Sequence, residues 1–341
     1  MRVSLVVPTY DKSRYLDYTL ASLVHQRFRD FEVIVVDDGG GDGAEQVVDR
    51  YREHYALTYL RQDNGGRSAA RNLGLAHATG ELIVFNDDDR IAHPDLLAEH
   101  VRFAREHPDA VAIGWKRRVL TLWEPGRLPT AERDLLTLAA RDPELLSRME
   151  AGGFALITPQ ALLDDFAAAV AVIDLGDEED NYHAVLERFG PELAGFRFGW
   201  ALGTTANLAV RAEMLAAVGH FDESFRGWGM EDTELSYRLH AAGARFAVHP
   251  AAINYHQVHP IGADSLPRDQ RRRRAELLAN LREFCRKHPS ADAYLFWRRW
   301  TYAVTINDAN DVLDDLEKLD AHGGSSLRAE LERLYRDLLD A

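Results

Sequence analysis

Residues 31–55 read FEVIVVDDGGGDGAEQVVDRYREHY, and this stretch decides the fold. It opens with a β-branched apolar run that ends in two aspartates and a cluster of glycines. Such a run is typical of a strand that is buried on both faces of a sheet. The remainder has the spacing of an amphipathic helix. The stretch therefore predicts a buried strand that turns, through an acidic and glycine-rich loop, into a helix covering the sheet.

The same alternation extends on both sides of this unit. We predict strands over 3–8, 31–38, 57–62 and 81–89, and helices over 13–26, 43–55 and 66–78. Alternation of this kind indicates βαβ units, and hence an α/β fold with a mostly parallel sheet and helices on both faces. Ligands of such sheets bind outside the carboxyl ends of the strands. The polar residues that end each strand are therefore candidates for a binding site.

Beyond this region the pattern changes twice. Residues 115–197 loosen into helical pieces, and we expect the acidic stretch 174–183 to be a solvated loop. Residues 198–262 are compact again, and the chain after Pro267 is expected to be helical, with the arginines 271–274 on a solvated helix face. We therefore divide the chain into four segments, 1–110, 111–197, 198–262 and 263–341.

The composition excludes several classes of protein. The net charge of −15 argues against non-specific binding of nucleic acid and against electrostatic docking on an anionic membrane. The single cysteine, Cys285, excludes an intramolecular disulfide and fits a reducing compartment. We find no apolar run long enough to cross a membrane and no long apolar segment of a signal peptide at the N-terminus. We therefore expect a cytoplasmic protein without a transmembrane segment.

Three successive aspartates, Asp87, Asp88 and Asp89, end the fourth predicted strand. They cannot lie close together at low cost unless a cation neutralises them. In an extended strand Asp87 and Asp89 point the same way. Two carboxylates on one side suit Mg²⁺ or Mn²⁺, with substrate phosphates completing the coordination. The structural alternative is an acidic surface turn that caps the next helix.

Two common nucleotide-binding motifs are missing from the sequence. No GxGxxG follows the first strand, and no GxxxxGK[ST] is present. A nucleotidyltransferase needs a glycine-rich basic loop after the first strand, but TYDKSRY (9–15) contains no glycine. Aspartates at two strand ends remain suitable acceptors for the hydroxyl groups of a ribose.

Residues 227–243, GWGMEDTELSYRLHAAG, predict a helix that begins at two adjacent carboxylates, Glu231 and Asp232. Apolar residues recur at helical spacing, Glu234 can pair with Arg238 on an outward face, and Gly243 is placed to end the helix. Acidic residues are common in a first helical turn because the helix dipole favours them, so the pair fits either capping or function. Trp228, between two glycines, is more typical of a binding loop.

Five motifs, taken in order, resemble family 2 glycosyltransferases of the GT-A fold. They are VVPTYDK (6–12), VVDDGGGDG (35–43), NGGRSAARNLGL (64–75), GELIVFNDDD (80–89) and the segment from Thr204 to His256. The last resembles the acceptor half of inverting galactosyl- and N-acetylhexosaminyl-transferring members. The resemblance covers roughly residues 1–260 and implies a Rossmann-like, mostly parallel sheet, to which the helical C-terminal extension predicted above is added. It also implies that 1–110 binds the nucleotide sugar, that 111–197 is a variable, largely helical insertion on the acceptor side, and that 198–262 is the acceptor and catalytic half.

The resemblance also implies roles for residues of the donor site. Asp38 is expected on the base, Asp87 on the ribose, and Asp89 on Mn²⁺ or Mg²⁺, with His256 as a further metal ligand and His259 as the second choice. The other residues expected to contact the nucleotide are Pro8, Thr9, Tyr10, Arg67, Arg71 and Asp88. Asn86 is a departure, because the family often has an apolar residue before these aspartates.

On the acceptor side, the resemblance implies that Asp232 is the general base and that Glu231 contacts the acceptor hydroxyl, with the reverse assignment open. The helix N-terminus should keep Asp232 ionised and weakly basic. Trp228 and Gly229 would contact the acceptor, and the glycines would let the loop close over the donor. The implied function is inverting transfer of a hexose or N-acetylhexosamine from a nucleotide sugar, usually a UDP-sugar. The acceptor hydroxyl would belong to a glycan, a lipid-linked saccharide, a natural product or a peptide. A sugar-nucleotide nucleotidyltransferase and a non-catalytic nucleotide-sugar-binding subunit are the alternatives.

Overall fold

The computed structural model describes residues 1–124, 132–178, 182–259, 267–302, 304–322 and 326–340. The strands are β1 (Val3–Thr9), β2 (Phe31–Asp37), β3 (Ala56–Arg61), β4 (Leu82–Asn86), β5 (Arg90–Ala92), β6 (Ala110–Val119), β7 (Leu122–Trp123), β8 (Phe154–Ala155), β9 (Asp174–Asp177), β10 (Asn207–Arg211) and β11 (Arg245–Gln257). The helices are α1 (Ser13–Leu23), α2 (Ala44–Asp49), α3 (Arg67–His77), α4 (Leu96–Glu106), α5 (Glu132–Ala139), α6 (Leu145–Ala151), α7 (Pro159–Asp164), α8 (Phe166–Ile173), α9 (Tyr182–Phe189), α10 (Ala212–Val218), α11 (Glu231–Ala241), α12 (Pro267–Lys287), α13 (Ala291–Tyr302), α14 (Ile306–Ala321) and α15 (Ser326–Asp340), with a 3-10 turn at Gly199–Leu202.

The predicted parallel sheet is present and forms half of a larger one. The strand order is β3-β2-β1-β4-β10-β6-β11-β5, and β9 pairs with β6. Strands β1 to β4 pair in parallel, whereas β10 runs antiparallel to both of its neighbours. The carboxyl ends of β1, β2 and β4 therefore meet at one edge, as the sequence predicts.

Side chains of the buried strands alternate between two cores. In β1, Leu5 and Val7 belong to the core that includes α1 and α4, whereas Val6 points to the core on the opposite face. The continuous apolar run of β1 follows from this alternation, because successive side chains of a strand point to opposite faces and both faces are covered.

One expectation about the middle of the chain is wrong. The acidic stretch 174–183 is not a solvated loop at its start, because β9 pairs antiparallel with β6 there. Helices α5 to α9 lie between 111 and 197, while the first residues of this segment belong to β6 of the central sheet. The acidic pattern is misleading because charged residues in these strands are neutralised by partners that are distant in sequence. Arg117 of β6, for example, pairs with Asp174 and Asp177 of β9.

The C-terminal extension is helical, as predicted, and it shares a core with residues of the segment 198–262. Trp200 is fully buried against Phe284 of α12 and Phe296 of α13, with ring centroids 5.7 and 5.0 Å away. Helices α12 to α15 all contribute buried side chains to this core. Across the described parts of the chain, no helix has both the length and the apolar character that crossing a bilayer requires.

Candidate active site

Asp38, at the end of β2, organises the turn that precedes α3. Its Oδ1 accepts hydrogen bonds from the Gln62 side chain (2.7 Å) and the Gly65 amide (2.8 Å), and its Oδ2 accepts one from the Gly66 amide (2.9 Å). Gly66 has a φ of 90°, a conformation that favours glycine. The Asp38 carboxylate therefore stabilises this turn, in addition to the contact with a nucleotide base that the sequence predicts.

The other residues predicted to bind the nucleoside surround Asp38. The Asp38 amide donates to the Thr9 carbonyl (2.9 Å), which joins the ends of β1 and β2. Tyr10 and Arg67 are exposed on the rim, whereas Pro8 is half-buried. The Thr9 side chain is buried at the same edge of the sheet. These residues form an edge on which a flat ring and its polar groups can be held.

Arg71, one turn into α3, joins the two halves of the site. It is buried, and its guanidinium contacts Asp87 Oδ1 on one side and Glu231 Oε1 on the other, both at 3.2 Å. Burial opposes the charge of Arg71, but Asp87 and Glu231 raise its pKa overall. The sequence predicted Arg71 near the base and ribose. The structure places it between the predicted ribose ligand and the predicted catalytic pair.

The three aspartates form a turn and do not continue the strand. Strand β4 ends at Asn86, and the Arg90 amide donates to the Asp87 carbonyl (3.2 Å) to close the turn. The expectation that Asp87 and Asp89 point the same way is therefore wrong, because it assumed an extended backbone. Asp87 faces Arg71, whereas Asp88 and Asp89 both face Lys12.

Lys12 is the functional candidate that sequence reasoning missed. Its ammonium lies 2.6 Å from Asp89 Oδ2 and 3.5 Å from Asp88 Oδ1. Burial raises the pKa of Asp88 to about 6, with a further contribution from the neighbouring charge of Asp89 that Lys12 only partly offsets. Burial acts in the same direction on Asp89, but Lys12 and two histidines lower the pKa of Asp89 well below its usual range. The available signal was the position of Lys12 at the end of β1, where polar residues collect.

Asp89, His256 and His259 form a possible metal site. His259 Nε2 lies 2.8 Å from Asp89 Oδ2, and His256 Nε2 lies 4.0 Å from the same oxygen. One ligand atom from each residue lies within 4.8 Å of the others. The sequence named His256 first and His259 second, and the structure brings both to the carboxylate. One oxygen and two imidazole nitrogens fit Mn²⁺ better than Mg²⁺, which prefers oxygen ligands.

Glu178, which follows β9, contacts His256 at Nδ1, the ring nitrogen that does not face Asp89. It lies 3.2 Å from His256 Nδ1 and accepts a 2.8 Å hydrogen bond from the Arg90 guanidinium. Burial opposes its ionisation, but Arg90 and His256 lower the pKa of Glu178 well below its usual range. A carboxylate on the outer nitrogen fixes the ring orientation of a metal-ligating histidine. The sequence gave Glu178 no role, because its partners are distant along the chain.

The Glu231–Asp232 pair lies at the start of α11, as predicted, and Gly243 follows the helix with a φ of 97°. Glu231 is buried, and Asp232 is partly exposed. Burial and the charge of Glu231 raise the pKa of Asp232 to about 6, although Arg71 opposes this. The expectation of a weak base is therefore wrong in direction, because desolvation outweighs the helix N-terminus. Glu234 is also not on an outward face, since it is buried against Arg238 and His288.

Trp228 lies on the rim beside this pair, with 37% of its surface exposed. Its amide donates to Glu276 Oε2 of α12 (3.1 Å). The flanking glycines, which the sequence associated with loop closure, have φ values of 78° and 92°. Both glycines adopt a left-handed backbone conformation, which costs free energy for residues with a Cβ atom.

Comparison with protein-family models assigns the chain to a class. Residues 4–165 match the family described as glycosyl transferase family 2, and residues 190–260 match the N-terminal domain of galactosyltransferase. Residues 4–165 therefore belong to glycosyltransferase family 2, and the chain has the GT-A fold.

Individual relatives agree with this assignment. The chain is 31% identical over 306 residues to validoxylamine A glucosyltransferase of Streptomyces hygroscopicus subsp. jinggangensis, a match that covers 86% of this chain and 63% of the relative. The chain thus spans less than two thirds of that relative's length.

Two solved structures share the fold at low sequence identity. A mannosyltransferase from Pyrobaculum calidifontis, in complex with GDP-Man and Mn²⁺, has a TM-score of 0.55 and 18% identity, with 99% of this chain and 83% of that chain covered. S. aureus TarS 1-349, in complex with UDP-GlcNAc, has a TM-score of 0.52 and 20% identity, with 90% and 74% covered.

Proposed function

We propose that this protein transfers a hexose or N-acetylhexosamine from a UDP-sugar to an acceptor hydroxyl, with inversion at the anomeric carbon. The observation that carries the proposal is the Arg71 bridge. Because Arg71 contacts both Asp87 and Glu231, a nucleotide held at the sheet edge would lie next to the Glu231–Asp232 pair. Nucleotide-sugar complexes of two proteins with the same fold, and the family itself, support a donor of this class.

On the donor side, Asp38, Thr9, Tyr10 and Arg67 bind the nucleoside and Asp87 binds the ribose. Asp89, His256 and His259 would hold a divalent cation, for which their oxygen and nitrogen atoms are suitable ligands. A bound Mn²⁺ would stabilise the negative charge that develops on the leaving diphosphate. Lys12 supplies a second positive charge at the same place.

On the acceptor side, Asp232 is the general base. The acceptor oxygen forms a bond to the anomeric carbon as the bond from that carbon to the diphosphate oxygen breaks, and the electron pair leaves with the diphosphate. The hydroxyl proton passes to the Asp232 carboxylate. A pKa of about 6 keeps Asp232 ionised at neutral pH and makes it a better base than an ordinary aspartate. Because the base lies across the cleft from the diphosphate site, a single in-line displacement with inversion results.

The exposed Trp228 provides a flat surface against which a sugar ring of the acceptor can pack, and Gly229 lies beside it. Glu231 is held by Arg71 and is placed to accept a hydrogen bond from an acceptor hydroxyl. The acceptor class that this arrangement fits is a saccharide or a similar polyhydroxylated molecule.

The first test is calorimetric titration with UDP, GDP and dTDP, each with Mn²⁺ and again with EDTA. We expect UDP to bind in the presence of Mn²⁺ and to lose most of its affinity in EDTA. If GDP alone bound in a metal-dependent way, the donor would be a GDP-sugar and not a UDP-sugar. Binding of none of the three would contradict the catalytic proposal and favour a non-catalytic subunit. Once a donor is known, NMR of the product gives the anomeric configuration, and retention would contradict the single displacement.

A further inference from the structure

The backbone that leads into the catalytic pair is left-handed at three of four positions. Gly227, Gly229 and Met230 have φ values of 78°, 92° and 81°. Met230 is not a glycine, so its conformation costs free energy and persists only where the surroundings hold it. The position of Glu231 and Asp232 therefore depends on whatever fixes the preceding loop, which we define as residues 226–230.

Helix α12 of the C-terminal extension provides that support through hydrogen bonds. The side-chain amide of Asn280, which is buried, donates to the Arg226 carbonyl (2.9 Å) and to the Gly229 carbonyl (2.8 Å). One turn earlier, Glu276 accepts from the Trp228 amide (3.1 Å). Three backbone groups of loop 226–230, which secondary structure does not satisfy, are thus paired with two side chains of one helix.

The same helix also packs tightly on the loop. A Cβ atom at Gly227 would lie 2.9 Å from the Glu276 side chain, and one at Gly229 would lie 2.9 Å from Leu277 Cδ1. The Met230 side chain is buried in the core that contains Leu277 and Leu281 of α12. The left-handed backbone favours glycine at both positions, and a Cβ atom there would displace the ends of the Glu276 and Leu277 side chains.

We infer that Asn280 is a positioning residue for the acceptor side of the site. By holding the carbonyls of Arg226 and Gly229, it fixes the loop that presents Trp228 and that begins the helix carrying Asp232. The roles of Trp228 and Asp232 rest on the proposed function, whereas the control of the loop by Asn280 does not. The C-terminal extension, which lies more than 30 residues beyond the catalytic pair in sequence, is on this view part of the catalytic apparatus.

The test compares Asn280→Ala and Asn280→Asp with the wild type in the full chain. The aspartate has the shape of asparagine but lacks both N–H donors, so it separates hydrogen bonding from packing. Asn310→Ala is the matched control. Asn310 is also buried, accepts from the Arg197 amide (2.7 Å) and donates to Asp314, and neither partner lies in loop 226–230.

Hydrogen exchange, followed by mass spectrometry on peptides covering 225–232, is the first readout. We expect exchange of these amides to be about tenfold faster in both Asn280 variants and unchanged in Asn310→Ala, because local opening controls exchange. The second readout is release of UDP from UDP-GlcNAc and UDP-glucose. We expect kcat to fall about 10- to 100-fold, since small displacements of a catalytic group are costly, with the KM for the donor and the affinity for UDP and Mn²⁺ unchanged.

Wild-type exchange in both Asn280 variants, or an equal increase in Asn310→Ala, would overturn the inference. Faster exchange in Asn280→Ala alone would also overturn it, because packing rather than hydrogen bonding would then hold the loop. Loss of UDP affinity in the Asn280 variants would show that α12 supports the donor site and not the loop. If the wild type itself binds no nucleotide, the proposed function fails, but the exchange measurement still decides the role of Asn280.

Discussion

The donor and acceptor sides of the proposed site are held in different ways. On the donor side, residues at the carboxyl ends of neighbouring strands contact one another, as Asp38 contacts Gly65 and Gly66 and as Lys12 contacts Asp88 and Asp89. On the acceptor side, the carboxylate pair is held from outside its own segment. Arg71 reaches it from α3, and loop 226–230 is fixed by α12.

This difference has a physical origin. A parallel sheet brings its strand ends together whatever their side chains are, so a site at that edge follows from the fold alone. A loop with three left-handed residues has no such scaffold, and its conformation must be stabilised by contacts from elsewhere. Changes on the donor side should therefore alter binding of nucleotide and metal, whereas changes on the acceptor side should alter turnover.

The largest expected effect is on turnover and comes from Asp232→Asn. Loss of a general base costs about 10²- to 10⁴-fold in rate, so we expect kcat to fall by that factor. The affinity for UDP and Mn²⁺, measured by calorimetry, should stay within about twofold, because Asp232 acts on Arg71 and Asp87 only through its charge and is not among the proposed metal ligands. Full transfer activity in this variant would exclude Asp232 as the base and leave Glu231 as the alternative.

Arg71→Met should affect both sides of the proposed site at once, because Arg71 contacts a residue of each. The substitution leaves the buried Glu231 and the partly exposed Asp87 without their common partner. Removal of one member of a buried ion pair costs about 3–5 kcal/mol. We expect the free energy of unfolding in urea to fall by that amount, and both nucleotide affinity and turnover to decrease.

Arg67→Ala is the matched control for Arg71, because Arg67 is an exposed arginine in the same helix. It should weaken nucleotide binding with little change in stability. Equal stability of the Arg67 and Arg71 variants would show that the bridge is not what joins the two halves.

Glu178→Gln sharpens the comparison on the donor side. The glutamine keeps the shape but loses the charge that faces His256 Nδ1. Loss of such an outer partner typically lowers metal affinity about 10- to 100-fold, which we expect for Mn²⁺ in calorimetry. Asp177→Asn is the control, because Asp177 is the neighbouring residue in the chain but pairs with Arg117. It should leave Mn²⁺ affinity unchanged. Unchanged affinity in Glu178→Gln would mean that His256 is not a metal ligand.

The sequence predicts the donor side well because its pattern is local. The apolar runs of β1, β2 and β4 and the polar residues after them are sufficient to place Asp38, Asp87 and Asp89 at one edge. The sequence does not reveal that the backbone turns after Asn86, so it pairs Asp87 with Asp89, whereas Asp88 and Asp89 share Lys12. A turn of three charged residues has no periodicity from which its conformation can be predicted.

The supports of the acceptor side are not visible in the sequence, because each one depends on a contact between distant segments. Asn280 lies on a helix whose pattern indicates only an amphipathic surface, and nothing near it in sequence indicates the carbonyls of Arg226 and Gly229. For a related reason, the sequence does not reveal that the pKa of Asp232 is raised. The helix N-terminus is evident from the sequence, whereas the burial that outweighs it is a property of the folded cleft.

The smallest expected effect is on the pH dependence of turnover, and it tests that burial directly. Burial and the charge of Glu231 raise the pKa of Asp232 to about 6, and Asp87 acts in the same direction. Arg71 and the hydrogen bond from the Thr233 amide lower it. The ionised carboxylate is the active base, so kcat should be constant above pH 7 and fall as the pH decreases through about 6. At pH 5 it should be about tenfold below the plateau, because each pH unit below the pKa reduces the ionised fraction tenfold.

The measurement is kcat at saturating donor and Mn²⁺. The Asn280 variants should retain the fall with a lower plateau, and Asp232→Asn should lose it. A fall centred near pH 4 would mean that the helix N-terminus, and not burial, sets the basicity of Asp232.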